Sequence, residues 1–181
     1  MTDGPLLLEL DEETWADQLD RASAWLGNLL MSQEKFRTYA EDAAGKIEEP
    51  HIREYLREIA GRAAEHEEQA RGLFLVLGRE PTAGRSTAGA VLAKGAELVA
   101  DVVGRSGGAR GNWRDVRQLL LANQDAIGAF AVAEQLGYAL GLPELADPCF
   151  RLVAEKTKDQ LLIQEYMLEM GPMAILLGLD A

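Results

Sequence analysis

The sequence is poor in the residues that most often carry nucleophilic or redox chemistry. Among its 181 residues it has one cysteine, Cys149, and two histidines, His51 and His66. A single cysteine excludes a disulfide within the chain. Two histidines leave little room for a Ser-His-Asp or Cys-His triad, and no motif of that kind is visible. Cys149 is therefore predicted to pack as a small apolar residue.

Positive charge and long apolar runs are also scarce. The chain has 18 Lys and Arg against 30 Asp and Glu, a formal net charge of −12, and such a surface repels the phosphate backbone of nucleic acids. No apolar run reaches the roughly 18 residues that a membrane-spanning helix needs. The start of the chain has no basic segment before its apolar residues. We expect a cytoplasmic protein that binds neither nucleic acid nor a membrane.

Helical periodicity is what the sequence has in abundance. Alanine, leucine and glutamate are frequent, which favours an all-α protein, and the length fits one domain over residues 1–181. Asp11 is a plausible N-cap for a first long helix that ends at Glu48-Glu49-Pro50. A second helix begins at Pro50 and stops near Gly78. So short a connection predicts an antiparallel helix hairpin.

The second half of the chain predicts another hairpin. A third helix is expected from about Asp115 to Leu140, and a fourth from Pro148, after the N-cap Asp147, to about Met170. Glycines punctuate the stretch from about 79 to 113, which we interpret as a crossover with a short helix near 90–103. Two antiparallel hairpins joined by a long crossover form a ferritin-like four-helix bundle.

His66 is the most informative residue because it interrupts an apolar stripe. The stripe on the second helix consists of Ile52, Leu56, Ile59, Ala63, His66, Ala70, Leu73 and Leu77. This spacing places all of them on one face, so His66 points towards the partner helices. An imidazole there is either a hydrogen-bonded structural residue or a metal ligand, and the residues alone leave both interpretations open. The neighbouring acids Glu65, Glu67 and Glu68 flank or oppose the stripe, so most of their charge is predicted to form a solvated face.

Two stretches of the sequence carry a family resemblance. One runs from Ser32-Gln33-Glu34-Lys35-Phe36 through His66 to Leu77-Gly78-Arg79-Glu80-Pro81, and the other from Asp125 through Gly141 to Glu155-Lys156-Thr157-Lys158-Asp159. In these stretches the chain resembles the ferritin-like superfamily, and among its members bacterial stress-associated ferritin-like proteins of unknown function.

The resemblance implies a ligand pattern for two iron or manganese ions. The pattern is Glu on the first helix, Glu-x-x-His on the second, Glu on the third and Glu-x-x-His on the fourth. His66 matches the second-helix histidine, but Ala63 stands where its glutamate belongs. Glu155 matches the fourth-helix acid, and Lys158 replaces the second histidine.

The remaining ligand positions are open between neighbouring residues. On the first helix the alignment favours Glu34, whereas the apolar face favours Gln33. On the third helix the alignment favours Asp125 and the apolar face favours Glu134. The predicted metal ligands are His66, Glu134 and Glu155, with iron or manganese as the ion.

The fourth helix has two apolar faces. Glu155 and Asp159 share one of them, and either this face or the opposite one could point inward. The first face comprises Leu152, Glu155, Asp159, Leu162, Ile163 and Tyr166, and the second comprises Phe150, Val153, Thr157, Leu161 and Leu168. Together with an apolar C-terminal tail at about 167–181, two such faces predict a homodimer or a larger homo-oligomer.

Loss of two ligands, at Ala63 and Lys158, predicts a degenerate metal site. The function we expect is therefore that of a non-enzymatic, stress-associated or assembly protein. The alternative is a carboxylate metalloprotein that oxidises iron or consumes peroxide. A carrier of a small apolar ligand within the bundle is a third hypothesis.

Overall fold

The computed structural model describes residues 11–81 and 111–179. These residues form four α-helices and no strand: α1 (Glu12–Lys46), α2 (Pro50–Val76), α3 (Asn112–Leu140) and α4 (Pro143–Leu176). The prediction of an all-α, four-helix protein is confirmed. The predicted short helix at 90–103 and most of the predicted crossover lie outside the described residues. None of the four helices is long and apolar enough to cross a membrane.

Side-chain contacts fix the direction of each helix. Arg79, just after α2, donates to Asp20 near the start of α1, whereas Lys46 at the end of α1 donates to Asp115 in the first turn of α3. Both α2 and α3 therefore run antiparallel to α1 and parallel to each other. In the same way α4 is antiparallel to α3, since the indole of Trp113 donates to the carbonyl of Met167.

The helix ends test the capping predictions. Asp11 caps α1 as predicted, because its carboxylate accepts a hydrogen bond of 2.7 Å from the backbone nitrogen of Thr14. The predicted limits of α4 are wrong at both ends, since the helix begins at Pro143 and continues through Pro148 and Pro172 to Leu176. The predicted C-terminal tail therefore belongs to α4 as far as Leu176.

Packing explains why the two prolines do not end α4. A proline removes one backbone donor and costs roughly 3 kcal/mol inside a helix. Leu145 and Cys149 are fully buried on either side of Pro148, and Met170 and Ala174 are buried on either side of Pro172. Burial of a Leu or Met side chain contributes about 1.5–3 kcal/mol, so contacts with the other helices offset the cost.

The bundle core is divided into two apolar clusters at opposite ends. One contains Phe36 and Ile163, and the other contains Leu30 and Leu152. On α1, α2 and α4 the two clusters are separated by buried polar residues. This division places the only extensive buried polar chemistry of the described residues at mid-height in the bundle.

A close approach between α3 and α4 fixes the second hairpin. A Cβ atom added at Gly137 would lie 2.6 Å from the backbone nitrogen and 2.9 Å from the Cα of Ala146. The chain then turns at Gly141, whose positive φ of 69° suits glycine, and the nitrogen of Leu142 bonds to the carbonyl of Gly137. Only glycine at 137 allows the two backbones to meet in this way.

Gly137→Ala is expected to destabilise the protein by about 2 kcal/mol, because the new methyl group must displace the backbone of α4. Urea denaturation followed by circular dichroism measures the effect. Gly128→Ala, on the same helix with no atom within 4 Å of the added Cβ, should instead stabilise by roughly 0.5–1 kcal/mol. A loss of stability at both positions would contradict the close-packing argument.

Candidate functional site: a polar layer in the bundle core

Every helix contributes a buried polar side chain at the same height of the bundle. The residues are Gln33 on α1, His66 on α2, Asn123 on α3, and Lys156 and Asp159 on α4, and each is buried. We call these five residues the polar layer. Their positions follow the apolar periodicity of each helix, so the fold itself turns them inward.

Lys156 is the central feature of the polar layer. Its side chain is fully buried, and its Nζ lies 3.9 Å from the ring centre of Phe36 and 5.9 Å from that of Phe130. Ring faces attract an ammonium group, yet burial lowers the pKa of Lys156 to about 7, with only partial compensation from the charge of Asp159. A lysine so placed titrates near neutral pH.

One neutral acceptor lies within reach of Lys156, and two further acceptor atoms are buried in the same layer. Its Nζ lies 3.5 Å from Oδ1 of Asn123, at the limit of a hydrogen bond. Within the described residues, Oε1 of Gln33 and Nδ1 of His66 are buried without a hydrogen-bond partner. An ammonium group has three hydrogens to donate, so Lys156 supplies donors in a region where acceptors are in excess.

The amides of the polar layer also tie the helices together. Nε2 of Gln33 donates to the carbonyl of Ala63 at 2.8 Å, which joins α1 to α2. Nδ2 of Asn123 donates to the carbonyl of Lys156 and to Oε1 of Gln160, both at 2.9 Å, which joins α3 to α4. Each amide therefore satisfies its donor side between two helices of one hairpin.

His66 connects the polar layer to the protein surface. Its Nε2 lies 2.9 Å from Oε2 of Glu155, whose side chain is 57% exposed. Burial and the nearby charge of Lys156 lower the pKa of His66, although the bond to Glu155 opposes them. In the neutral imidazole that this shift favours, Nε2 donates to Glu155 and Nδ1 is left as an acceptor.

Asp159 is the acidic member of the polar layer. Its Oδ1 accepts a hydrogen bond of 2.8 Å from Arg62 and one of 3.0 Å from the hydroxyl of Tyr55, both on α2. Burial, reinforced by the charge of Asp159, raises the pKa of Tyr55 to about 12. The phenol therefore stays protonated, and Asp159 joins α4 to α2 through two donors.

A second buried acid lies outside the polar layer. Most of the charge of Glu65, Glu67 and Glu68 was predicted to form a solvated face, and Glu65 and Glu68 are exposed, but Glu67 is buried between α1 and α2. Its carboxylate accepts hydrogen bonds from Arg37 and Arg71. Burial raises the pKa of Glu67, but these two guanidinium groups lower it by more. One arginine bonds to each oxygen of the acid, and together they neutralise it.

The structure brings only two of the three predicted metal ligands together. His66 and Glu155 are in contact, whereas Glu134 is half-buried and joined to neither by a described hydrogen bond. Instead Glu134 lies near Cys149, whose pKa is raised to about 12 by burial and by that charge. The thiol is thus protonated at neutral pH, as its predicted role in packing requires.

On α1 and α3, where the sequence left the inward ligand position open between two residues, the structure places an uncharged residue inward. Gln33 is buried, while Glu34 is half-buried, with a carboxylate oxygen 3.4 Å from Arg71. On α3 the inward residue is Asn123, which the sequence did not single out, and Asp125 is an exposed acceptor for Ser32. The face of α4 that carries Asp159 points inward, with Glu155 at its exposed edge.

Sequence reasoning missed Lys156 because lysine is rarely buried. The signal that identifies it is positional, since Lys156 lies four residues after Leu152 and three before Asp159, in the stripe that proved to be buried. The same spacing applies to Asn123, which lies four residues after the buried Leu119 and three before the buried Ala126. The buried polar residues could have been recognised by their position on the inward stripe, but not by their residue type.

Within residues 11–81 and 111–179, no group of three or more His, Cys, Asp and Glu side chains is placed to hold a metal ion. Comparison of the whole chain with models of protein families, with curated proteins and with solved structures gave no match. The chemistry of the polar layer is therefore the basis on which a function can be proposed.

Proposed function

We propose that this protein is a non-enzymatic ferritin-like bundle, with an assembly role in the stress response, in which a lysine occupies the place of the metal centre. The observation that carries the proposal is the complete burial of Lys156 at mid-height among Gln33, His66 and Asn123. Because the amine belongs to a side chain of the protein, the core is complete without a bound metal ion. The long crossover of ferritin-like bundles is part of the same proposal, and the parallel directions of α2 and α3 support it.

The residues of the polar layer do not fit a di-metal centre. If the superfamily pattern is laid on the inward positions, Gln33 and Asn123 take the places of the single glutamates. Ala63 with His66 takes one Glu-x-x-His place, and Lys156 with Asp159 takes the other. Iron and manganese sites of this kind need several anionic carboxylates. These positions offer one, Asp159, which already accepts from Arg62 and Tyr55, beside His66, two neutral amides and an amine that titrates near neutral pH. We therefore derive no metal chemistry for this site.

The contact of His66 with Glu155 is the one observation that favours the alternative of a metalloprotein. A histidine and a carboxylate in contact are common metal ligands. Here they form a hydrogen-bonded pair of 2.9 Å, and Arg62 and Tyr55 already occupy the nearest buried acid, Asp159. A bound ion would have to break this pair and tolerate Lys156 beside it.

Metal analysis tests the proposal directly. The full chain is purified without chelator, equilibrated with Fe(II) under nitrogen or with Mn(II), and analysed by plasma mass spectrometry. We expect much less than one metal per chain, and the same content in His66→Ala. The rate of Fe(II) oxidation in air should equal that of buffer. His51→Ala, which removes the exposed histidine, is the matched control.

Stoichiometric metal in the wild-type protein that is lost in His66→Ala but kept in His51→Ala would overturn the proposal. The same result would support the alternative of a metalloprotein. Metal that is retained by both variants would instead identify a site elsewhere on the acidic surface.

A further inference from the structure

The side of α4 that faces away from the core carries an exposed apolar stripe. Leu161 is 64% exposed, Phe150 59% and Leu168 62%. These residues recur every three or four positions and belong to one row, which we call the outer stripe: Phe150, Ala154, Thr157, Leu161, Gln164, Leu168, Pro172 and Ile175. Every member of the row is exposed, and a row of this period is the pattern by which helices pair.

From Phe150 onward, the exposed charged residues of α4 follow only one edge of the outer stripe, whereas the exposed acids Glu144 and Asp147 precede it. Each charged residue of this edge comes directly after a stripe residue, which places it about 100° further round the helix and on the same edge. They are Arg151, Glu155, Lys158, Glu165 and Glu169. The opposite edge is formed by uncharged residues such as Val153 and Gln160.

Two of the acids on this edge already have partners within the chain. Glu155 bonds to His66, and Glu169 contacts His51 at the protein surface. No ion pair among the described residues uses Arg151, Lys158 or Glu165. The charges of these three residues are therefore available to a second chain.

The sign of the available charge changes along the edge. Both of its basic residues, Arg151 and Lys158, lie before Leu161, whereas Glu165 lies after it. Glu155 is an acid between the two basic residues, bonded to His66 with its side chain 57% exposed. The exposed Glu169 adds to the acidic half, because its contact with His51 leaves its side chain 52% exposed. An edge that is basic at one end and acidic at the other complements itself when it is reversed.

We propose that the outer stripe is the interface of a homodimer in which α4 packs antiparallel against α4 of a second copy, with the two-fold axis at Leu161. A two-fold axis perpendicular to two antiparallel helices brings the same edge of each helix together. The basic half of one edge then faces the acidic half of the other. Lys158 meets Glu165 of the second copy, and Arg151 approaches its Glu169.

This charge pattern distinguishes a second copy from other occupants. A parallel pair would set the charged edge of one helix against the uncharged edge of the other, and an unrelated partner would not require charges balanced about one residue. This dimer rests on the assembly role proposed above and identifies the partner in that role as a second copy of the chain. It does not depend on the residues of the polar layer. Failure of the dimer and failure of the metal-free core are thus separate results.

The first test is the solution mass of Leu161→Arg, measured by light scattering after size exclusion. The wild-type chain should have the mass of a dimer. Two arginines facing each other at the two-fold axis should raise the dissociation constant by about 100-fold or more and yield monomers. Leu75→Arg is the matched control, since Leu75 is 72% exposed on α2, and it should remain dimeric. Both variants should keep the helical circular dichroism and melting temperature of a folded chain.

The second test is a charge exchange that only an antiparallel dimer explains. Lys158→Glu and Glu165→Lys should each weaken the dimer by about tenfold, since each change places like charges opposite each other twice per dimer. The double variant should recover the wild-type dissociation constant. Lys158 and Glu165 are two turns apart on one helix and cannot pair with each other within it, so recovery must arise between chains.

Three results would overturn the proposal. One is a monomeric wild-type chain, which would leave another segment of the same chain as the occupant of the outer stripe. The second is a dimer that Leu161→Arg does not weaken, which would place the interface on another face. The third is a double variant as weak as the single ones, which would exclude the antiparallel arrangement.

Discussion

The free energy of unfolding of the wild-type protein should rise by about 5 kcal/mol between about pH 7 and 10.5. Lys156→Met should abolish this rise. The folded protein holds the pKa of Lys156 at about 7, whereas the ordinary value is 10.5. Between these values the unfolded chain binds a proton that the folded chain does not, so the free energy of unfolding rises with pH. The slope reaches about 1.4 kcal/mol per pH unit.

Urea denaturation at pH 7, 8, 9 and 10 measures this gain as the difference between the two profiles. Other groups that titrate in this range, such as tyrosines, contribute equally to both proteins and cancel. Lys35→Met is the matched control because it removes an exposed lysine that lies on α1, outside both the polar layer and the outer stripe, and its profile should follow that of the wild type. Parallel profiles for the wild type and Lys156→Met would show that Lys156 is solvated in the folded protein.

Asp159→Ala is expected to destabilise the protein by about 3 kcal/mol at neutral pH. The carboxylate is buried, and its loss leaves Arg62 and the hydroxyl of Tyr55 without their acceptor. Removal of one partner from a buried ion pair costs far more than the pair itself contributes. Thermal and urea denaturation of the purified variant measure the loss.

Glu58→Ala provides a control that acts on the same arginine. Glu58 lies 3.6 Å from Arg62, but its side chain is 58% exposed, so its removal should cost less than about 0.5 kcal/mol. Equal losses for the two variants would mean that burial does not strengthen the contact between Arg62 and Asp159. Tyr55→Phe should fall between them, at about 1 kcal/mol.

The sequence was sufficient to predict the helices because their apolar spacing is regular. The stripe that contains His66 is buried as predicted, and Asp11 caps α1. The limits of α4 could not be predicted in the same way. Local rules end a helix near Pro148 and Pro172, whereas contacts with distant helices decide whether it continues.

The candidate site was predictable only in part. His66 was identified because histidine is conspicuous in an apolar row, and its contact with Glu155 brings together two of the predicted ligands. Lys156 and Asn123 were not identified, because neither residue type suggests a core position. Which of the two opposite faces of α4 points inward depends on the packing of three other helices, and no local pattern encodes that choice.

The polar layer also bears on how the four helices find their alignment. Apolar side chains of similar size tolerate a slip of one helical turn, about 5.4 Å, because one leucine can replace another. Lys156 does not tolerate it, since the same slip would carry the amine away from Asn123 and into one of the two apolar clusters. A bundle with only apolar seams could settle in several vertical offsets, whereas this one has a single offset in which its lysine and amides meet.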